Sequence, residues 1–112
     1  MSFVTTHVLD VSAGRPADGI EVELLALRSG AEQSLDRATT DADGRIGSLG
    51  PDRLSAGAYR LRFDVGSYFG RHRLPTLFPT IAVDFLVGDD PGLHLHIPVL
   101  VSPFAYSTYR GS

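Results

Sequence analysis

An all-β fold, a two-sheet β-sandwich, is the class this sequence predicts, on three observations. Apolar and polar residues alternate with period two in short runs, glycine, proline and aspartate turns separate the runs, and seven or eight such runs fit into 112 residues. A chain of this length, 43% hydrophobic, can bury roughly two-thirds of the surface its unfolded form exposes. One domain over residues 1–112 is therefore expected.

The first run is Val4–Asp10. In residues 20–28, Ile20, Val22, Leu24 and Ala26 fall on one face and Glu21 and Glu23 on the other. A strand over 33–40 follows, and the segment Thr39-Thr40-Asp41-Ala42-Asp43-Gly44-Arg45 reads first as a hairpin, because Asp-Gly supplies the positive φ of a tight turn. The cleanest alternation is 58–65, with Tyr59, Leu61, Phe63 and Val65 on one side and Arg60, Arg62 and Asp64 on the other. Residues 66–72 are the one place for a short helix. Thr80–Val87 points Ile81, Val83, Phe85 and Val87 inward, and strands over 93–101 and 105–109 complete the set. Pro98 cannot donate to a ladder, which predicts an edge position or a bulge there.

Composition narrows function. Net charge is −3, and the ten basic residues, all arginine, are scattered among thirteen acids, so nucleic acid is not an expected partner. The absence of cysteine excludes disulfides, thiolate metal sites and a cysteine nucleophile, and the absence of lysine excludes a Schiff base. No basic segment leads into an apolar stretch at the start and no run approaches eighteen apolar residues, so export and membrane insertion are disfavoured and a cytoplasmic location is expected.

Three features can carry chemistry. In Leu93-His94-Leu95-His96-Ile97, alternation places both imidazoles opposite the leucines and the isoleucine, and His7 joins them if its strand shares their sheet. Imidazole titrates near neutral pH and can take a proton from water, although solvated or interface histidines give the same pattern. Arg45 leaves its turn with a planar fork suited to a carbonyl or an anionic ring, or to charge developing in a transition state; a solvated arginine is the alternative. The acids before it lack the ligand spacing of a calcium loop. Finally, the strand pattern runs almost to the ending Tyr109-Arg110-Gly111-Ser112, so this tail is expected to be tied down, with Gly111 allowing a close backbone approach and Ser112 adding a hydroxyl.

These stretches together resemble the transthyretin-like 5-hydroxyisourate hydrolases. Thr6-His7-Val8-Leu9-Asp10 with Gly14-Arg15-Pro16-Ala17, Asp43-Gly44-Arg45, Phe78-Pro79, His94-Leu95-His96-Ile97-Pro98 and Ser107-Thr108-Tyr109-Arg110-Gly111-Ser112 carry the likeness, the ending being the most specific. The resemblance implies a transthyretin-like sandwich of about eight strands with one short helix, assembled as a homotetramer, a dimer of dimers with active sites in the cleft between dimers. It implies hydrolysis of 5-hydroxyisourate to 2-oxo-4-hydroxy-4-carboxy-5-ureidoimidazoline in urate (purine) degradation, with no cofactor and no metal. It places catalytic roles on His7, Arg45, His96 and Ser112, and substrate binding on His7, Arg45 and Tyr109. Leu95 stands where the family commonly has tyrosine, and alternation turns it away from the histidines. On this reading histidine-activated water attacks the ring carbonyl, and kcat/KM falls below about pH 6.5, the ordinary imidazole value.

Three other readings compete. A zinc site on His94, His96 and His7 uses good imidazole ligands and is tested by metal analysis and chelation. A ligand-carrying module like transthyretin, which lacks the histidine pair and the Tyr-Arg-Gly-Ser ending, is the second. A structural module of the carboxypeptidase-regulatory type shares only Gly14-Arg15-Pro16, Asp43-Gly44-Arg45 and Ala56-Gly57-Ala58-Tyr59.

Overall fold

Every second residue of the longer strands turns inward, and the inward sets of two sheets make the core. The computed structural model describes residues 2–92 and 94–112. One sheet contains β1 (Val4–Asp10), β2 (Arg15–Pro16), β5 (Arg45–Leu49), β8 (Leu95–Ser102) and β9 (Ala105–Thr108). The other contains β3 (Glu21–Arg28), β4 (Ala31–Thr39), β6 (Gly57–Asp64) and β7 (Thr80–Val87), and α1 (Val65–Arg71) follows β6. Their orders are β2-β1-β8-β9, with β5 also on β1, and β4-β3-β6-β7. Among the described residues, eight strands of four residues or more and the two-residue β2 thus match the expected sandwich with its short helix.

Val4, Val8, Val99 and Val101 from the first sheet meet Val22, Leu24, Leu61 and Phe63 from the second, all fully buried. Each such side chain contributes about 1.5–3 kcal/mol relative to exposure. The outward faces differ in character. On the second sheet Arg60 grips Asp84 with two hydrogen bonds of 2.6 and 2.9 Å and also meets Glu32, while Arg62 bridges Glu32 and Glu23. Those arginines are neutralised across neighbouring strands rather than gathered for a polyanion. The outward face of the first sheet carries the histidines instead.

Several local expectations change. The β3–β4 connection is a two-residue turn, Ser29-Gly30, with φ of 52° and 78°, so β4 begins at Ala31 and not at residue 33. The segment 41–45 is not a hairpin within a sheet: β4 belongs to one sheet and β5, paired with β1, to the other. A type I′ hairpin turn needs two positive φ angles, and here Gly44 alone has one, at 75°. Pro98 lies on an interior strand, between β1 and β9, and not at an edge or bulge. It is tolerated because the β9 ladder stops at Val99↔Thr108, so no main-chain donor is missed on that flank. Strand β8 begins at Leu95, and Leu93 of the expected 93–101 strand lies outside the described residues. β5 escaped the alternation test because Ile46 and Leu49, both buried, are three apart. A register shift in its pairing with β1 lets both face inward.

β1, which carries much of the site, is held at its far end by Asp10. This carboxylate, 3% exposed, accepts from the Tyr68 hydroxyl at 2.7 Å, from the Ser12 hydroxyl at 2.6 Å and from the main-chain N–H groups of Ser12 and Ala13 at 3.0 Å. Burial opposes its charge, yet these donors win and hold the carboxyl below its ordinary range. Tyr68→Phe should therefore destabilise the fold by about 1–3 kcal/mol at neutral pH, read from denaturant unfolding. Because a depressed carboxyl stabilises only above its unfolded pKa, the deficit should shrink as pH falls through the carboxyl range. A constant deficit down to pH 3 would exclude Asp10 as its cause.

Candidate active site

Parallel pairing of β1 with β8 brings the two histidine segments into one sheet, the condition that alternation alone left open. Thr5 lies across from His96 and His7 across from Pro98. On the other flank of β1, antiparallel β5 sets Arg45 across from His7. Thr5, His7, Arg45 and His96 thereby share the outward face.

The turn before β5 aims Arg45 and His7 together. Asp41 Oδ1 accepts the main-chain N–H groups of Asp43 and Arg45, each at 2.9 Å, and Gly44 donates to the Asp41 carbonyl at 2.9 Å. Val8 then donates to the Gly44 carbonyl at 2.7 Å, fixing the turn to β1. A side chain on Gly44 would strike the Val8 carbonyl, besides the strain of its positive φ. His7 Nε2 lies 2.8 Å from the Asp43 carbonyl. A carbonyl only accepts, so this nitrogen carries the proton and donates.

A hollow of about 230 Å³ opens between Thr5, Arg45, Gly47, His94, His96 and Ser112. Gly47 leaves its floor open, because a Cβ there meets nothing within 4 Å. The rings of His94 and His96 stack with 6.2 Å between centroids, and the Thr5 hydroxyl stands between them, 2.7 Å from His94 Nε2 and 2.8 Å from His96 Nδ1. Burial first, then the charges of Arg45, His94 and His7, push the His96 imidazole below its ordinary value, against a smaller opposing pull from the Thr5 main chain. Among the described residues Arg45 makes no ion pair, so its fork is available to a ligand.

The tail enters this hollow because Gly111 docks on β8. Its N–H donates to the His96 carbonyl at 2.8 Å, and it sits so close that a Cβ would come within 2.6 Å of His96 Cδ2 and 3.1–3.2 Å of the Pro98 ring. Ser112 is delivered beside His96 and Arg45. The structure thus gathers His7, Arg45, His96 and Ser112 on one face. It does not bring Tyr109 there within one chain: that residue, 57% exposed, lines a separate apolar hollow of about 300 Å³ with Val83, Phe85, Leu86, Leu95 and Ile97.

Thr5 and Gly47 are the members that residue-type reasoning passes over. Thr5 was detectable as the residue two before His7, hence on its face. A larger hollow of about 510 Å³ at the loop end of the sandwich holds Arg53, Asp89 and Asp90 but no imidazole. Among the described residues no three His, Asp or Glu side chains are placed to hold a metal ion, and no helix is long and apolar enough to cross a membrane.

Comparison with known proteins fits this arrangement. The model of the HIUase/Transthyretin family matches residues 4–111. The chain belongs to that family. Within the family, it is 41% identical to a 5-hydroxyisourate hydrolase of Caulobacter vibrioides, covering 100% of both chains. Among solved structures, 5-hydroxyisourate hydrolase of Klebsiella pneumoniae superposes with a TM-score of 0.86 at 39% identity, over 99% of this chain and 100% of that one. Sea bream transthyretin, solved in complex with thyroxine, superposes with a TM-score of 0.90 at 26% identity, over 97% and 94%. Backbone shape therefore does not distinguish the hydrolase from the transthyretin, while the sequence is more similar to the hydrolase.

Proposed function

We propose that this chain is a 5-hydroxyisourate hydrolase acting in urate degradation, and that it opens the ring of its substrate in the hollow between β1, β5 and β8. The observation that carries the reading is the convergence there of His96, Arg45 and Ser112, with hydrolase relatives of about 40% identity along the whole chain as support. The hydrolase is read as a cytoplasmic homotetramer, a dimer of dimers, whose clefts contain the sites. Tyr109 orients substrate only if that assembly carries it to a hollow, since its own chain does not.

His96 is the general base. Depression of its pKa keeps the imidazole neutral at physiological pH, and its Nδ1 faces Thr5, which leaves Nε2 for a water molecule. Nε2 takes a proton as the water oxygen attacks the ring carbonyl. Arg45 holds the substrate and stabilises the oxyanion of the tetrahedral intermediate, and Ser112 orients the ring. Collapse breaks the ring C–N bond, and the proton passes from His96 to the departing nitrogen. His7, with Nε2 committed to the Asp43 carbonyl, contributes position and its Nδ1 face rather than the first proton transfer.

The direct test generates 5-hydroxyisourate with urate oxidase and follows its spectroscopic decay with and without the protein. Acceleration is expected, and its absence sinks the reading. Chelator-treated protein should keep full activity, as the zinc alternative requires the opposite. The pH profile gives a finer check: because protonation of His96 is disfavoured in the folded protein, the acid limb of kcat/KM should lie below the ordinary imidazole value of about 6.5. A limb centred at or above 6.5 between pH 4 and 8 would remove His96 as the base.

A further inference from the structure

The mechanism leaves two polar groups of the hollow without a role, Thr5 and His94. Thr5, 8% exposed and the second residue of β1, points its hydroxyl at two imidazoles at once, with Nε2 of His94 at 2.7 Å and Nδ1 of His96 at 2.8 Å. Its main chain is fixed by parallel pairing directly opposite His96, which sets the hydroxyl beside that ring. A hydroxyl has one proton to donate and lone pairs to accept with, so it couples the protonation states of whatever it bridges.

We propose that Thr5 is a positioning residue that holds His96 in the tautomer with its proton on Nδ1 and its lone pair on Nε2, by accepting from His96 and donating to His94. The inference rests on the reading of His96 as the general base. The opposite direction, Thr5 donating to His96 Nδ1, would place the neutral ring's proton on Nε2 and leave no lone pair facing the hollow. In the proposed direction the Nδ1–H···Oγ1 bond is already in place when Nε2 takes a proton from water. The resulting imidazolium then needs no rearrangement of its neighbour. His94 acquires a role as well: its Nε2 accepts the Thr5 proton and so orients the hydroxyl, while its stacked ring flanks that of His96.

Thr5→Val keeps the β-branched shape and removes the hydroxyl, and Thr5→Ser restores it. With 5-hydroxyisourate as substrate, Thr5→Val should lower kcat about tenfold with KM nearly unchanged, the size expected from losing one orienting hydrogen bond in the transition state. Its acid limb should move to lower pH, because the imidazolium loses an acceptor. Thr5→Ser should recover kcat to within about twofold of the unmodified enzyme. Nitrogen-15 spectra of histidine-labelled protein provide a readout independent of turnover: neutral His96 should carry its proton on Nδ1 in the unmodified protein and become a tautomer mixture in Thr5→Val. A proton found on Nε2 of His96 in the unmodified protein overturns the proposal, as does a Thr5→Val enzyme with unchanged kcat and pH profile. Inactivity of the unmodified protein toward 5-hydroxyisourate would overturn the functional reading separately, leaving the spectra to decide the tautomer.

Discussion

Gly111→Ala is expected to cost about 100-fold in kcat/KM toward 5-hydroxyisourate while moving the unfolding free energy by no more than about 1 kcal/mol. The added methyl would lie 2.6 Å from His96 Cδ2 and 3.1–3.2 Å from the Pro98 ring. Neither neighbour can recede. The His96 ring is hydrogen-bonded to Thr5, and Pro98 is a ring within an interior strand paired to β1. The tail must move instead, and displacement by about an ångström takes Ser112 from its place beside Arg45. Residues 105–110 are exposed, so little core packing depends on that position. Full activity in Gly111→Ala, or a protein unfolded at room temperature, would contradict this account.

His96→Asn should lower kcat by about 10²–10⁴-fold, the span assigned to loss of a general base, again with the fold retained. The side chain lies on the outward face, so no core cavity opens, and the His96 carbonyl that accepts from Gly111 belongs to the main chain and stays. The two variants therefore reach one hollow by separate routes, through the base and through the placement of the tail. Their combination should cost less than the product of the single losses, because groups acting as a unit are not additive. Near-normal turnover by His96→Asn would take it out of the mechanism.

Much of the sandwich was legible from local pattern. Thr80–Val87 and Val4–Asp10 stand where alternation put them, and the helix begins one residue before the expected position, capped by Asp64 through the Ser67 N–H and hydroxyl. Two of the misreadings share a cause: pairing partners. The turn at 41–45 looks like a hairpin until β5 is seen to pair with β1, and Pro98 looks misplaced until the end of the β9 ladder is known. The site was legible in parts. Residue type pointed to the histidines and Arg45, and the family resemblance singled out His7, His96, Tyr109 and Ser112, whereas Thr5 is an ordinary strand threonine until β8 is laid beside β1. Gly111 read as permitting a close approach, and the structure supplies what is approached.

The Thr5 contacts span 89 and 91 residues of sequence, far more than the neighbour-to-neighbour pairings of the second sheet. The loop between them must be closed before those contacts form, and contacts so distant in sequence slow folding. Refolding from denaturant must therefore bring segments from opposite ends of the chain together before the hollow exists. Recovered enzymatic activity then reports closure of nearly the whole chain rather than local strand pairing.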